Sequence, residues 1–131
     1  MRSAKKRILV IEDEQDIAIY LETILLDNGY EVDVAVDGFE AMKKINNKKP
    51  DLISLDISLP EKTGVKLYCE LKENKRLSKI PVVMVTGIEK GFKKYINSGK
   101  GLPPPNGYIS KPFNVDELLA VVSDILNKNN K

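Results

Sequence analysis

The sequence predicts an α/β domain built on a five-stranded parallel sheet, and two observations carry that expectation. Five short β-rich runs, RILVIE (7–12), EVDVAV (31–36), DLISLD (51–56), PVVMVT (81–86) and GYIS (107–110), alternate with segments of helical periodicity. Three of the runs are continuously apolar, the pattern of strands covered on both faces by helices. Strands alternating with helices imply right-handed crossovers between parallel neighbours.

Taken in order, the first run ends in Glu12 and Asp13, and a helix follows from Asp13 to Asn28. Ile17, Leu21, Ile24 and Leu25 form its apolar stripe, and Gly29 supplies a C-terminal cap. The second run alternates, with Val32, Val34 and Val36 on one side, which predicts an edge strand. GFEAMKKI (38–45) is a shorter helix, and the third run then ends in a carboxylate, Asp56, followed by ISLPEKTG. GVKLYCELKEN (64–74) is again helical, and the fourth run ends in Thr86. Beyond it Phe92 and Ile96 share a helical face, but Gly91, Gly99 and Gly101 weaken that helix. LPPPN, from Leu102, predicts an extended, protruding Pro-rich loop over 102–107. The fifth run stops just before Lys111. The last helix, Asn114 to Asn127, carries Val115, Leu118, Leu119, Val122, Ile125 and Leu126 at helical spacing. Asn114 is its expected N-cap, with Glu117 three residues on. A chain of 131 residues suits one domain with a core over about 6–127 and no output domain.

Composition narrows the function classes. Charged residues make up 31% and hydrophobic ones 42%, ordinary values for a globular protein. The excess of +2 is small and no basic recognition helix accompanies it, so no direct nucleic-acid contact is expected. The lone Cys69 excludes an internal disulfide framework and reads as a small core residue. With no histidine anywhere, Ser–His and Cys–His hydrolases are excluded, as is a phosphate carrier using its own histidine. No apolar run reaches the length of a membrane span, and the start is too short in apolar residues for a signal peptide. A cytoplasmic location is expected.

The strand ends hold the chemistry. Ligands of open parallel sheets sit beyond the carboxyl ends of the strands, and here those ends carry Glu12, Asp13, Asp56, Thr86 and Lys111. Three carboxylates at one edge repel one another and call for a hard divalent cation, with Mg²⁺ the natural choice beside phosphate. One lysine and one hydroxyl complete a pocket suited to an oxyanion. Each residue alone has an ordinary explanation: an Asp that caps a turn, acids that favour a helix start. Their joint placement favours a site.

ILVIEDE, LDISLPEKTG, VVMVTG and YISKPF together resemble the receiver domain of two-component response regulators, over about Lys6 to Asn127. The spacing of Asp56, Pro60 and Gly64, and the step from Asp56 to Thr86, match that family's pattern. The resemblance implies a flavodoxin-like doubly wound (βα)5 fold in strand order 2-1-3-4-5, like single-domain chemotaxis regulators. It implies Asp56 as phosphoacceptor, and Glu12, Asp13, Asp56 and the Ser58 backbone carbonyl as Mg²⁺ ligands. Thr86 matches the switch hydroxyl, Lys111 the lysine of the site, Tyr108 the aromatic switch, and Pro112 a proline after a cis bond to Lys111. The region of the irregular fourth helix departs from the family, being a few residues longer and Pro-rich.

The implied function is a phosphoacceptor module of a two-component phosphorelay. It takes a phosphoryl group from a phosphohistidine onto Asp56 with Mg²⁺ and switches a protein-binding surface. The implied partners are a sensor histidine kinase or histidine phosphotransfer protein and a downstream target protein, with no membrane and no turnover enzyme activity. A monomer or a phosphorylation-dependent dimer is expected. Two alternatives stand beside it. A Mg²⁺-dependent phosphohydrolase would place its aspartyl nucleophile after strand one in an Asp-x-Asp pattern, and IEDEQD lacks that spacing. A phosphorylation-independent receiver-like binding module is disfavoured because acceptor, acids, hydroxyl and lysine are all present.

Overall fold

Alternation along the strands sorts the apolar residues into two cores. Leu9, Ile11, Ile53, Leu55, Val82 and Met84 face one way, and Ile8, Val10, Leu52, Val83, Val85 and Ile109 the other. A computed structural model describes residues 5–56, 64–86 and 104–128, without the side chains of Val65 and Thr86. It contains strands β1 (Arg7–Ile11), β2 (Glu31–Ala35), β3 (Leu52–Leu55), β4 (Val82–Thr86) and β5 (Gly107–Ser110). They form one parallel sheet in the order β2-β1-β3-β4-β5, as expected. The alternating run is indeed the edge strand.

Four helices are present among the described residues: α1 (Gln15–Asp27), α2 (Gly38–Asn47), α3 (Gly64–Glu73) and a C-terminal helix (Val115–Lys128). Leu21, Ile24 and Leu25 of α1 share one core with Leu118, Val122, Ile125 and Leu126 of the C-terminal helix. Ala41 and Ile45 of α2 share the other with Leu67, Tyr68 and Leu71 of α3. Gly107 suits the first of these layers: a Cβ there would lie 2.9 Å from Val121 Cγ1 and 3.2 Å from Ile125 Cδ1.

Local signals account for the helix ends. Gly29 takes φ +92°, and the N–H groups of Gly29 and Tyr30 donate to the carbonyls of Leu26 and Leu25, closing α1 in a left-handed cap. Asp37 accepts from the Glu40 N–H at 2.8 Å, and Asn114 accepts from the Glu117 N–H at 2.7 Å. Lys72 of α3 donates to the carbonyls of Ser78 and Ile80, tying the helix to the chain that enters β4. Burial lowers its pKa. Val36, placed by alternation on the apolar side of the edge strand, instead falls one residue past β2 and is 52% exposed. Cys69 is half-buried rather than a full core residue.

The topology creates the crevice. From β1 the chain crosses to β2 on one side and returns to β3 on the other, so β1 and β3 are adjacent at the switch point. The expected irregular fourth helix around Phe92 and Ile96, Ser58, Pro60 and the start of the Pro-rich loop lie outside the described residues.

Candidate functional site

Strand register sets the site. Ile11 pairs with Leu55 and with Ala35, so Glu12 and Asp56 leave their strands at one level. The Glu12 N–H donates to the Ala35 carbonyl at 3.0 Å and the Asp56 N–H to the Ile11 carbonyl at 3.1 Å. The ladder therefore holds both backbones just where the strands end. On the far side Thr86 pairs with Ser110, which brings Lys111 to the same edge.

The buried carboxylates surround one ammonium. Glu12 is 1% and Asp56 2% exposed. Lys111 Nζ donates to Asp56 Oδ2 at 3.2 Å and lies 3.2 Å from Glu12 Oε1. A third acid, Glu14, approaches the same nitrogen at 3.6 Å from an exposed position. The Glu14 N–H donates to Glu12 Oε2 at 3.2 Å. Glu12 Oε1 is buried and, although paired in charge with Lys111, accepts no hydrogen bond. Carboxylate oxygens of Glu12, Asp13 and Asp56 all lie within 4.8 Å of one another.

The electrostatics follow from this crowding. Burial, then the hydrogen-bonded and charged neighbour Asp56, push the Glu12 carboxyl up from 4.5 to about 7, against smaller opposing effects of the Glu14 N–H and Lys111. For Lys111, burial weakens proton binding, but Asp56 and Glu12 more than reverse it and its pKa rises. Among the described residues one ammonium faces three clustered carboxylates, and an oxygen-only donor set with a buried oxygen that accepts no hydrogen bond fits a hard divalent cation.

The Lys111–Pro112 peptide is cis, and Phe113 packs against Tyr20 of α1 with ring centroids 5.8 Å apart. Tyr108 lies on β5, partly buried against the α2–α3 core, opposite Met84. Glu12, Asp13, Asp56 and Lys111 thus lie together at the strand ends. Thr86 reaches the same edge by its backbone, while its side chain and the Ser58 carbonyl lie outside the described residues. Glu14 was not anticipated as a member: EDE marked it only as part of an acidic helix start.

Comparison with known proteins decides the family. The family described as "Response regulator receiver domain" matches residues 8–123. The chain belongs to the response regulator receiver domain family. It is 37% identical over 123 residues to the alkaline phosphatase synthesis transcriptional regulatory protein PhoP of Bacillus subtilis, covering 94% of this chain and 49% of that protein. The receiver domain of NtrX from Brucella abortus superposes with a TM-score of 0.79 at 34% identity, over 92% of this chain and 98% of that one. The chemotaxis response regulator CheY4 of Vibrio cholerae gives 0.82 at 28% identity, over 93% and 99%. This receiver domain spans about half the length of several curated relatives that it matches. Some of these are named transcriptional regulators, so they lend no support to the expected absence of a nucleic-acid partner. No helix among the described residues is long and apolar enough to cross a membrane.

Proposed function

We propose that this receiver domain accepts a phosphoryl group on Asp56 from a phosphohistidine of a sensor kinase or histidine phosphotransfer protein, and passes the change to a protein-binding surface. The observation that carries this reading is the buried Asp56 carboxylate, hydrogen-bonded by Lys111 at 3.2 Å in a cluster with Glu12 and Asp13. Such a carboxylate needs no general base, since it attacks as the anion. An Asp56 oxygen forms the new bond to phosphorus in line with the breaking P–N bond, and the imidazole leaves with the electron pair.

Glu12, Asp13 and Asp56, with the Ser58 carbonyl implied by the family resemblance, would hold Mg²⁺. The ion's chemistry is to neutralise the charge that opposes attack of one anion on another. Lys111 exchanges its bond to Asp56 for one to a phosphoryl oxygen. The Thr86 hydroxyl donates to the phosphoryl group, and Tyr108 turns inward as the loop follows, a local charge event with a surface readout. The domain modifies and unmodifies itself rather than turning over a substrate. Its donor and target contacts, and any dimer formed on phosphorylation, follow from the same switch.

Intact mass after incubation with acetyl phosphate tests this reading. One phosphoryl adduct that needs Mg²⁺ and disappears in Asp56→Asn is expected. An equal adduct on Asp56→Asn would place the acceptor elsewhere.

A further inference from the structure

Among the described residues, Glu14 is an acid at the site that stands outside the carboxylate cluster and whose side chain does not cap its own helix. It stands at the N-cap of α1, yet its side chain makes no cap hydrogen bond. Glutamate is also a poor N-cap residue compared with Ser, Asp or Asn. Its backbone is instead anchored inward, its N–H donating to Glu12 Oε2 at 3.2 Å. The carboxylate is 63% exposed and lies 3.6 Å from Lys111 Nζ, on the solvent side of the buried Glu12 and Asp56. An exposed pair at that distance adds little stability. Its position matters for what approaches Asp56 from solvent.

We infer that Glu14 is a specificity-determining residue that selects phosphoryl donors by charge, disfavouring each in proportion to the negative charge it carries. The inference rests on the phosphoryl-transfer reading of Asp56. The rim carboxylate acts twice: it repels an incoming anion directly, and it competes for the ammonium of Lys111 that would receive a phosphoryl oxygen. A single charge acting on another ~6 Å away through a water-like dielectric alters an equilibrium about threefold. A doubly charged donor is therefore disfavoured about tenfold and a singly charged one about threefold. Small phosphorylated metabolites with a carboxylate-type leaving group are held back. A P–N donor, less charged and closer in chemistry to phosphohistidine, is held back less.

Two small donors separate these cases. Acetyl phosphate is a dianion near neutral pH; its P–O bond breaks and acetate departs with the electron pair. Phosphoramidate carries one charge fewer; its P–N bond breaks and the already protonated nitrogen departs as ammonia. Rates of adduct formation are measured for wild type, Glu14→Gln, Glu14→Lys and the remote charge control Asp124→Asn, at saturating Mg²⁺. For Glu14→Gln the expected gains are about tenfold with acetyl phosphate and about threefold with phosphoramidate, so the donor ratio rises about threefold. Glu14→Lys raises the ratio further, Asp124→Asn leaves it unchanged, and ~0.5 M salt shrinks every gain.

A second readout needs no donor. Mg²⁺ titration followed by NMR should show weaker binding for Glu14→Gln, by up to about tenfold, because a divalent ion loses a nearby negative charge. Faster transfer together with weaker Mg²⁺ binding is the signature of a rim charge. Equal rate changes with both donors, or an unchanged ratio with the adduct still on Asp56, would overturn the role of Glu14 alone. An adduct that persists in Asp56→Asn, or none on wild type with either donor, would overturn the phosphoryl-transfer reading beneath it.

Discussion

Two charge clusters flank β1, and they are built on opposite principles. At the edge strand, Asp33 is held by Arg7 at 3.2 Å and by Lys44 at 3.1 Å, with Glu31 and Glu40 completing the lattice. Cations and anions there nearly balance, and all five side chains keep substantial contact with water. At the strand ends, Glu12 and Asp56 are buried, Asp13 adjoins them, and Lys111 is the cation they share. The first cluster compensates its charge and also covers an open sheet edge, where Lys44 takes the Val34 carbonyl. Among the described residues, the second gathers three carboxylates, two of them buried, around a single ammonium. The difference separates a structural network from a site prepared for a ligand of opposite charge.

The largest effect that sharpens this contrast comes from removing each central lysine. Lys111→Met strands two buried carboxylates, and about 3 kcal/mol of stability should be lost at pH 8 without divalent ions. Lys44→Met at the exposed lattice should lose about 1 kcal/mol or less. Urea denaturation measures both, and equal losses would erase the distinction.

The next effect is a pH slope. Glu12 keeps its proton in the folded protein up to about 7, against 4.5 when unperturbed. Between those values the folded state binds more protons than the unfolded one, so stability falls as pH rises and levels off above about 7. The change is on the order of 3 kcal/mol in the absence of metal. Glu12→Gln should flatten the curve over pH 4.5–7, and a slope that survives this substitution would assign it to another group. The smallest effect belongs to Asp33→Asn, below ~1 kcal/mol and further reduced by salt.

Much of the contrast was legible in the sequence, and the rest was not for physical reasons. Apolar runs bounded by turn residues located all five strands, and their ends named Glu12, Asp13, Asp56 and Lys111, because strand tips lie together in a parallel sheet. Gly29 and Asn114 announced their caps, since cap chemistry is local. Contacts made by long side chains across the chain were invisible: Arg7 to Asp33, Lys72 to the Ser78 carbonyl, and Glu14 to Lys111. Periodicity states which face a residue occupies, not how far its charged end reaches. Val36 erred for the same reason in reverse, because alternation does not tell where an edge strand stops.

Mg²⁺ titration of stability at pH 8 tests the central claim most directly. At tenfold excess over its dissociation constant, Mg²⁺ should stabilise the wild type and Lys44→Met alike by about 1.4 kcal/mol, and Glu12→Gln by clearly less. Mg²⁺ that leaves the wild type unchanged, or stabilises Glu12→Gln as much, would contradict the claim that the strand-end carboxylates form its site.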